Sequence, residues 1–162
     1  MAPLTIEQKL QRRQKEIQDV LSYALVQNAK ATDAAAEEGA KRTRELLSRP
    51  GDYKLTRYSW GDHMSSRPGS PPAKGTGSLQ NSIVAVPYAV GNPSISGFGS
   101  TAKYAIYVEF GHGGPQKAAP RPFLRTVARD SDFHKFITKT VSERWEKSMR
   151  IGVRQFMKLR ME

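Results

Sequence analysis

The stretch from Thr5 to Ser48 contains no proline and one glycine, Gly39, and this constrains the fold more than any other feature of the chain. Within it Leu10, Ile17, Leu21, Ala24, Leu25, Asn28, Ala31 and Ala35 recur at spacings of three, four and seven, the repeat of a helical face. The spacing predicts one long α-helix filling the N-terminal zone, residues 1–48. Thr5 with Gln8 three residues on forms a capping box at its start, and Arg49-Pro50-Gly51 supplies the stop. Alanine occupies most positions from Ala29 to Ala36, leaving a narrow surface that another helix can approach closely.

Residues 49–77 are rich in Gly, Pro and Ser and include the run Arg67-Pro68-Gly69-Ser70-Pro71-Pro72. Proline lacks a backbone donor and fixes its own φ, so no continuous helix or central strand fits, and the segment is expected to be an extended loop or arm. Flexible linkers are usually poor in aromatics, yet this one carries Tyr53, Tyr58 and Trp60. Together with Pro71 and Pro72 they are candidate anchors on a neighbouring subunit, with packing on the parent domain as the alternative.

In residues 78–120 the β-branched run Ser82-Ile83-Val84-Ala85-Val86-Pro87-Tyr88-Ala89-Val90 leads through Asn92-Pro93 into Ser94-Ile95-Ser96-Gly97-Phe98-Gly99, which predicts a hairpin. Gly77 suits a positive backbone angle or a helix start, and Leu79 with Ile83 would plug a short helical turn into the core. The segment Tyr104-Ala105-Ile106-Tyr107-Val108-Glu109-Phe110 fits a strand or a short helix equally well. In residues 121–162, Phe123, Leu124, Val127, Phe133, Phe136, Ile137, Val141, Trp145, Met149, Val153, Phe156 and Leu159 follow helical spacing, with a break expected near Asp130. The fold class expected is α+β, a single domain over residues 1–162. A small antiparallel β-sheet is flanked by long N- and C-terminal α-helices, with a Pro/Gly-rich extended loop.

A chain of 162 residues and 18.1 kDa has room for one modest core and buries about 70% of its unfolded surface. Hydrophobic residues are 38% and mean hydropathy is −0.59, thin for a compact monomer but sufficient if subunits share cores or part of the chain is extended. There is no cysteine, so disulfides, thiolate catalysis and Cys-based metal sites are excluded. No apolar run approaches the ~20 residues of a membrane span, and the polar N-terminus is unlike a signal peptide, so the expected setting is a cytoplasm without membrane contact. Lys and Arg total 26 against 15 Asp and Glu, giving +11 and a pI near 10.1, which favours an anionic partner, DNA or an acidic protein surface.

Catalytic patterns are poor. His63, His112 and His134 lack HxH or HxxxH spacing, so no metal is expected. Gly97-Phe98-Gly99 and Gly75-Thr76-Gly77 lack the third glycine of a dinucleotide site and the lysine of a phosphate loop, so no cofactor is expected. A Gly-x-Ser-x-Gly elbow is also missing, and the chain is read as non-enzymatic.

Three blocks carry a resemblance: Thr76-Gly77-x-Leu79-x-x-Ser82-Ile83, Tyr104-Ala105-x-Tyr107-Val108-Glu109-Phe110-Gly111 and Arg121-Pro122-Phe123-Leu124-Arg125. In this order and spacing the segment from Arg67 to Arg129 resembles the neck and tail-completion minor structural proteins of long-tailed bacteriophages, the family typified by gene product ten of the lambdoid HK-type phage. The long N-terminal helix and residues 51–64 are not carried by it. The resemblance implies a virion protein at the neck or head–tail junction, made in the cytoplasm of a bacterial host. It implies a homo-oligomeric ring, of six or twelve copies, that joins or seals tail and head around the passage of double-stranded DNA. Its neighbours would be connector, head-closure and tail-terminator or tail-tube proteins.

Glu109, the one acid in an apolar block, is expected either to pair with Arg121 or Arg125, within or between subunits, or to stand solvated at the end of its strand or helix. All three join the interface candidates. Arg12, Arg13, Lys15, Arg150, Arg154 and Lys158 are candidates to face DNA or an acidic partner. Six copies would carry six times +11, whereas a channel wall ~30 Å tall faces only about 18 phosphates at roughly 1.7 Å per charge. Most of the charge must therefore face acidic protein surfaces or solvent. Two alternatives stand beside the ring: a basic nucleic-acid-binding monomer or dimer, although no standard base-reading motif is present, and a transient tail-assembly factor.

Overall fold

The computed structural model describes residues 5–50, 53–58, 61–72, 77–88, 95–113 and 118–158. Helix α1 (Ile6–Ser48) starts at the expected capping box, with the Gln8 amide donating to Thr5 Oγ1 at 3.3 Å and the Thr5 amide to Gln8 Oε1 at 3.0 Å. It ends as expected at Arg49, whose backbone turns to the extended region ahead of Pro50.

Residues 49–77 depart in part from the expected loop. Strands β1 (Tyr53–Tyr58) and β2 (Gly61–Ser66) form an antiparallel ribbon in which Tyr53 faces Ser66 and Tyr58 faces Gly61. Between Pro50 and Pro68 there is no proline, which leaves the β-prone Tyr-Lys-Leu-Thr-Arg-Tyr free to pair. The Pro-Gly turn comes after the ribbon. Gly69 there has φ 82° and donates its amide to Pro120 O at 2.9 Å.

Gly77, at φ 81°, starts the short helix α2 (Ser78–Asn81), which fits both readings made of it. The expected hairpin follows as β3 (Ile83–Tyr88) and β4 (Ile95–Ser100), with Ile83 opposite Ser100 and Tyr88 opposite Ile95. The ambiguous aromatic segment is a helix, α3 (Ala105–Phe110). Next come α4 (Leu124–Ala128) and α5 (Ser131–Lys158), parted at the expected break, where Asp130 Oδ1 accepts from the Asp132 amide at 2.8 Å.

The core gathers Ala40 and Leu47 of α1, Ile83 of β3, Ala105 of α3 and Phe123, with Leu79, Phe98, Val108 and Leu124 packed around it. Burying a side chain the size of Phe123 or Ile83 contributes about 1.5–3 kcal/mol. Gly39 has a packing reason to be in a helix. The Phe98 ring of β4 packs directly against it, and a Cβ at that point would overlap the ring. The Phe98 ring in turn meets Phe133 of α5 edge-on at 5.7 Å.

Helices α1 and α5 run antiparallel. At one end Arg42 reaches Asp130 at 3.7 Å and stacks over Phe133 at 5.7 Å. At the other, Gly152 is so close to Val20 that a Cβ would stand 2.5 Å from Val20 Cγ1. Ala24, Ala31 and Ser148 are buried along this pair, small residues that allow the close approach expected of the alanine-rich stretch. The molecule is α+β: two antiparallel β-hairpins between long N- and C-terminal helices.

Candidate assembly surfaces

Glu109 organises the body end of the chain. Helix α3 stops at Gly111, whose φ of 74° and contact with the Ala118 carbonyl exclude any side chain. The chain folds back there, with the Arg121 amide donating to Val108 O at 2.8 Å, and brings the start of α4 over Glu109. Glu109 is 2% exposed. Its Oε2 accepts from the amides of Phe123 (2.8 Å) and Leu124 (3.0 Å), and its Oε1 from the amide (3.1 Å) and Nε (3.0 Å) of Arg125. Arg125 Nη2 also donates to Glu109 O at 2.9 Å, and its guanidinium covers the Phe110 ring at 4.8 Å. Burial pushes the carboxyl up, but the three amides and the guanidinium outweigh it and hold Glu109 below the usual glutamate range. Of the two arginines expected, Arg125 is the partner, within the chain. Arg121 instead donates to Ser66 O at 3.1 Å and ties the loop to β2.

With Ala105 and Glu109 turned inward at i and i+4, the other side of α3 faces solvent. Tyr104, Ile106, Tyr107 and Phe110 are all exposed, Ile106 at 60%. Three large side chains on one short helix, with Tyr104 at its N-cap, form a patch of the kind that marks a binding surface. Beside it stand Lys103, next to Tyr104 in the chain, and Arg125, over the Phe110 ring; the acid in its midst, Glu109, is buried.

A second apolar surface lies on the α1–α5 pair beyond the hairpins. Leu10, Ile17 and Leu21 follow the helical repeat, yet each is half exposed or more, and so is Ile6 at 80%. Trp145 and Met149 are exposed on α5. In both helices these residues sit one step round from the contact seam in the same sense. In an antiparallel pair that places them on one side. Toward the body this side opens into a groove of about 460 Å³ between Ala35 and Ala36 of α1, Phe98 of β4, Leu124 of α4 and Ile137 and Val141 of α5.

The family model of the HK97 gp10-like proteins, described as bacteriophage HK97 gp10 tail components, matches residues 5–111. The chain belongs to this family. No curated protein and no solved structure matches it. The match runs from the cap of α1 to Gly111, so the HK97 gp10-like unit includes the long helix and the β1–β2 ribbon, neither of which the sequence motifs had tied to it. The Arg121-Pro122-Phe123-Leu124-Arg125 block and α5 lie beyond the matched span. As a phage tail component the protein is a structural part of the virion.

The other anticipated residues of this tail component are spread over separate elements of the chain. Tyr53 and Tyr58 are the first and last residues of β1, while Trp60 lies outside the described residues. Pro71 and Pro72 are half-buried just after the Gly69 turn. Among the basic candidates, Arg12 pairs with Glu16 at 3.1 Å and Arg150 with Glu146 at 3.7 Å, one helical turn apart. Arg13 is half-buried and Lys15 and Arg154 are exposed; Lys158 ends α5. Exposed pairs of this kind contribute about 0.2–1 kcal/mol and leave the charges available to a partner. The α3 patch was not foreseen, because the pattern of that segment does not say which side meets the core.

Proposed function

We propose that this tail component is a neck or tail-completion subunit. Several copies, six or twelve, close into a ring at the joint between the DNA-filled head and the tail and surround the DNA passage. It stacks on connector, head-closure and tail-terminator or tail-tube proteins, and its work is done by surfaces rather than by a reaction. The observation that carries the reading is the pair of uncovered apolar surfaces, α3 at one end and the α1–α5 arm at the other, in a member of a tail-component family. A ring needs two different contact patches per copy, since a head-to-tail interface closes only when each subunit offers both halves. The +11 charge supports acidic protein neighbours along with a passing duplex.

Imaging of purified virions and of the isolated protein by electron microscopy tests the reading. A ring with a central opening, found again at the neck of the particle, is the expected result. A protein absent from mature virions would instead be a transient assembly factor. One seen only as isolated monomers on DNA would be the basic nucleic-acid-binding alternative.

A further inference from the structure

We infer that the uncovered face of the α1–α5 arm is the seat for the α3 patch of the next copy. The inference rests on the ring reading and assigns the contact that builds it. First, the arm face carries no charge. On a 100° wheel no Lys, Arg, Asp or Glu of α1 before Arg42 falls in the roughly 80° sector that holds Leu10, Ile17 and Leu21. The matching sector of α5, from Thr138 through Trp145 to Met149, is equally free of charge. Depletion of charge around exposed apolar anchors is the composition of an interface core.

Second, the chemistry of the two surfaces fits. The α3 patch supplies Ile106, Tyr107 and Phe110 beside the cations of Lys103 and Arg125. Between copies that each carry +11, such a patch can settle only where it meets no like charge, and the arm face is that kind of surface. Third, the contact cannot form within one molecule. Helix α3 is anchored in the body by Ala105, packed with Ala40 and Leu47, whereas Leu10 lies about 40 Å along α1 from Gly39 at 1.5 Å per residue. Patches at opposite ends of one molecule make the contact head-to-tail, and a head-to-tail contact propagates from copy to copy.

Complementary variants test this. One carries Ile17→Asp and Leu21→Asp, the other Ile106→Asp and Tyr107→Asp; all four positions are half exposed or more, and circular dichroism and thermal melting check the folding of each. Should an aspartate pair fail to fold, alanine at the same two positions replaces it. Light scattering is expected to show an oligomer for the unsubstituted protein and a monomer for each variant alone. A one-to-one mixture should give a heterodimer of twice the monomer mass and nothing larger, because each variant keeps one intact half. If either variant alone keeps the full oligomer, or the mixture stays monomeric while the unsubstituted protein assembles, the inference is overturned and the ring stands on other surfaces. Should the unsubstituted protein stay monomeric at the highest concentration reached, the inference is also overturned, and particle imaging decides the ring separately.

Discussion

Two residues carry more than their size suggests. Glu109 holds three backbone amides and one guanidinium in a buried setting, so Glu109→Gln exchanges an acceptor for a donor that faces other donors. Thermal or denaturant unfolding of the variant should show a loss of about 1–3 kcal/mol. The pH dependence follows from the lowered pKa. The contribution is complete above the ordinary glutamate range and is lost as pH falls through the folded value, so Glu109→Gln should lack this part of the acid sensitivity. Gly39 makes the opposite point. Gly39→Ala gains about 1 kcal/mol of helix propensity but drives a methyl into the Phe98 ring, an overpacking cost of about 1–3 kcal/mol. Net destabilisation is expected, and Phe98→Leu in the same chain should relieve part of it.

Among the elements, α1 is the one whose halves differ. From Ala31 to Leu47 it is packed by β3, β4, α4 and α5, while between Ile6 and Tyr23 no residue is fully buried. A helix without tertiary cover is held chiefly by its own propensity and caps. Hydrogen exchange should therefore find the amides around residues 8–18 much less protected than those around 36–46 in the monomer. Assembly should slow them; equal protection in the monomer would contradict this. The ends of α1 were legible because caps and stops are local chemistry, and so was the β3–β4 hairpin, whose β-branched run is bounded by Asn-Pro. The β1–β2 ribbon was not, since the prolines at 68, 71 and 72 coloured the whole segment although the alternation of residues 53–58 lies upstream of them. The outward side of α3 was hidden for a different reason. Tyr104, Tyr107 and Val108 share a helical face in sequence, and only the fold-back at Gly111 and the inward Glu109 determine what that face meets. The choice of Arg125 over Arg121 as Glu109's partner depends on the same fold-back.

At the scale of the whole molecule, two apolar surfaces at opposite ends and a charge of +11 are the features on which the proposed ring rests. The most direct test is the mass of the purified protein in solution by light scattering, at low and high salt, with and without duplex DNA. The account predicts a closed oligomer of six or twelve copies, or a monomer that assembles once head or tail ends are supplied. Its mass should be held or increased at high salt, because apolar faces do not weaken with screening as charge pairs do. A stable monomer whose only complex is with DNA, and which releases that DNA as salt rises, would contradict it.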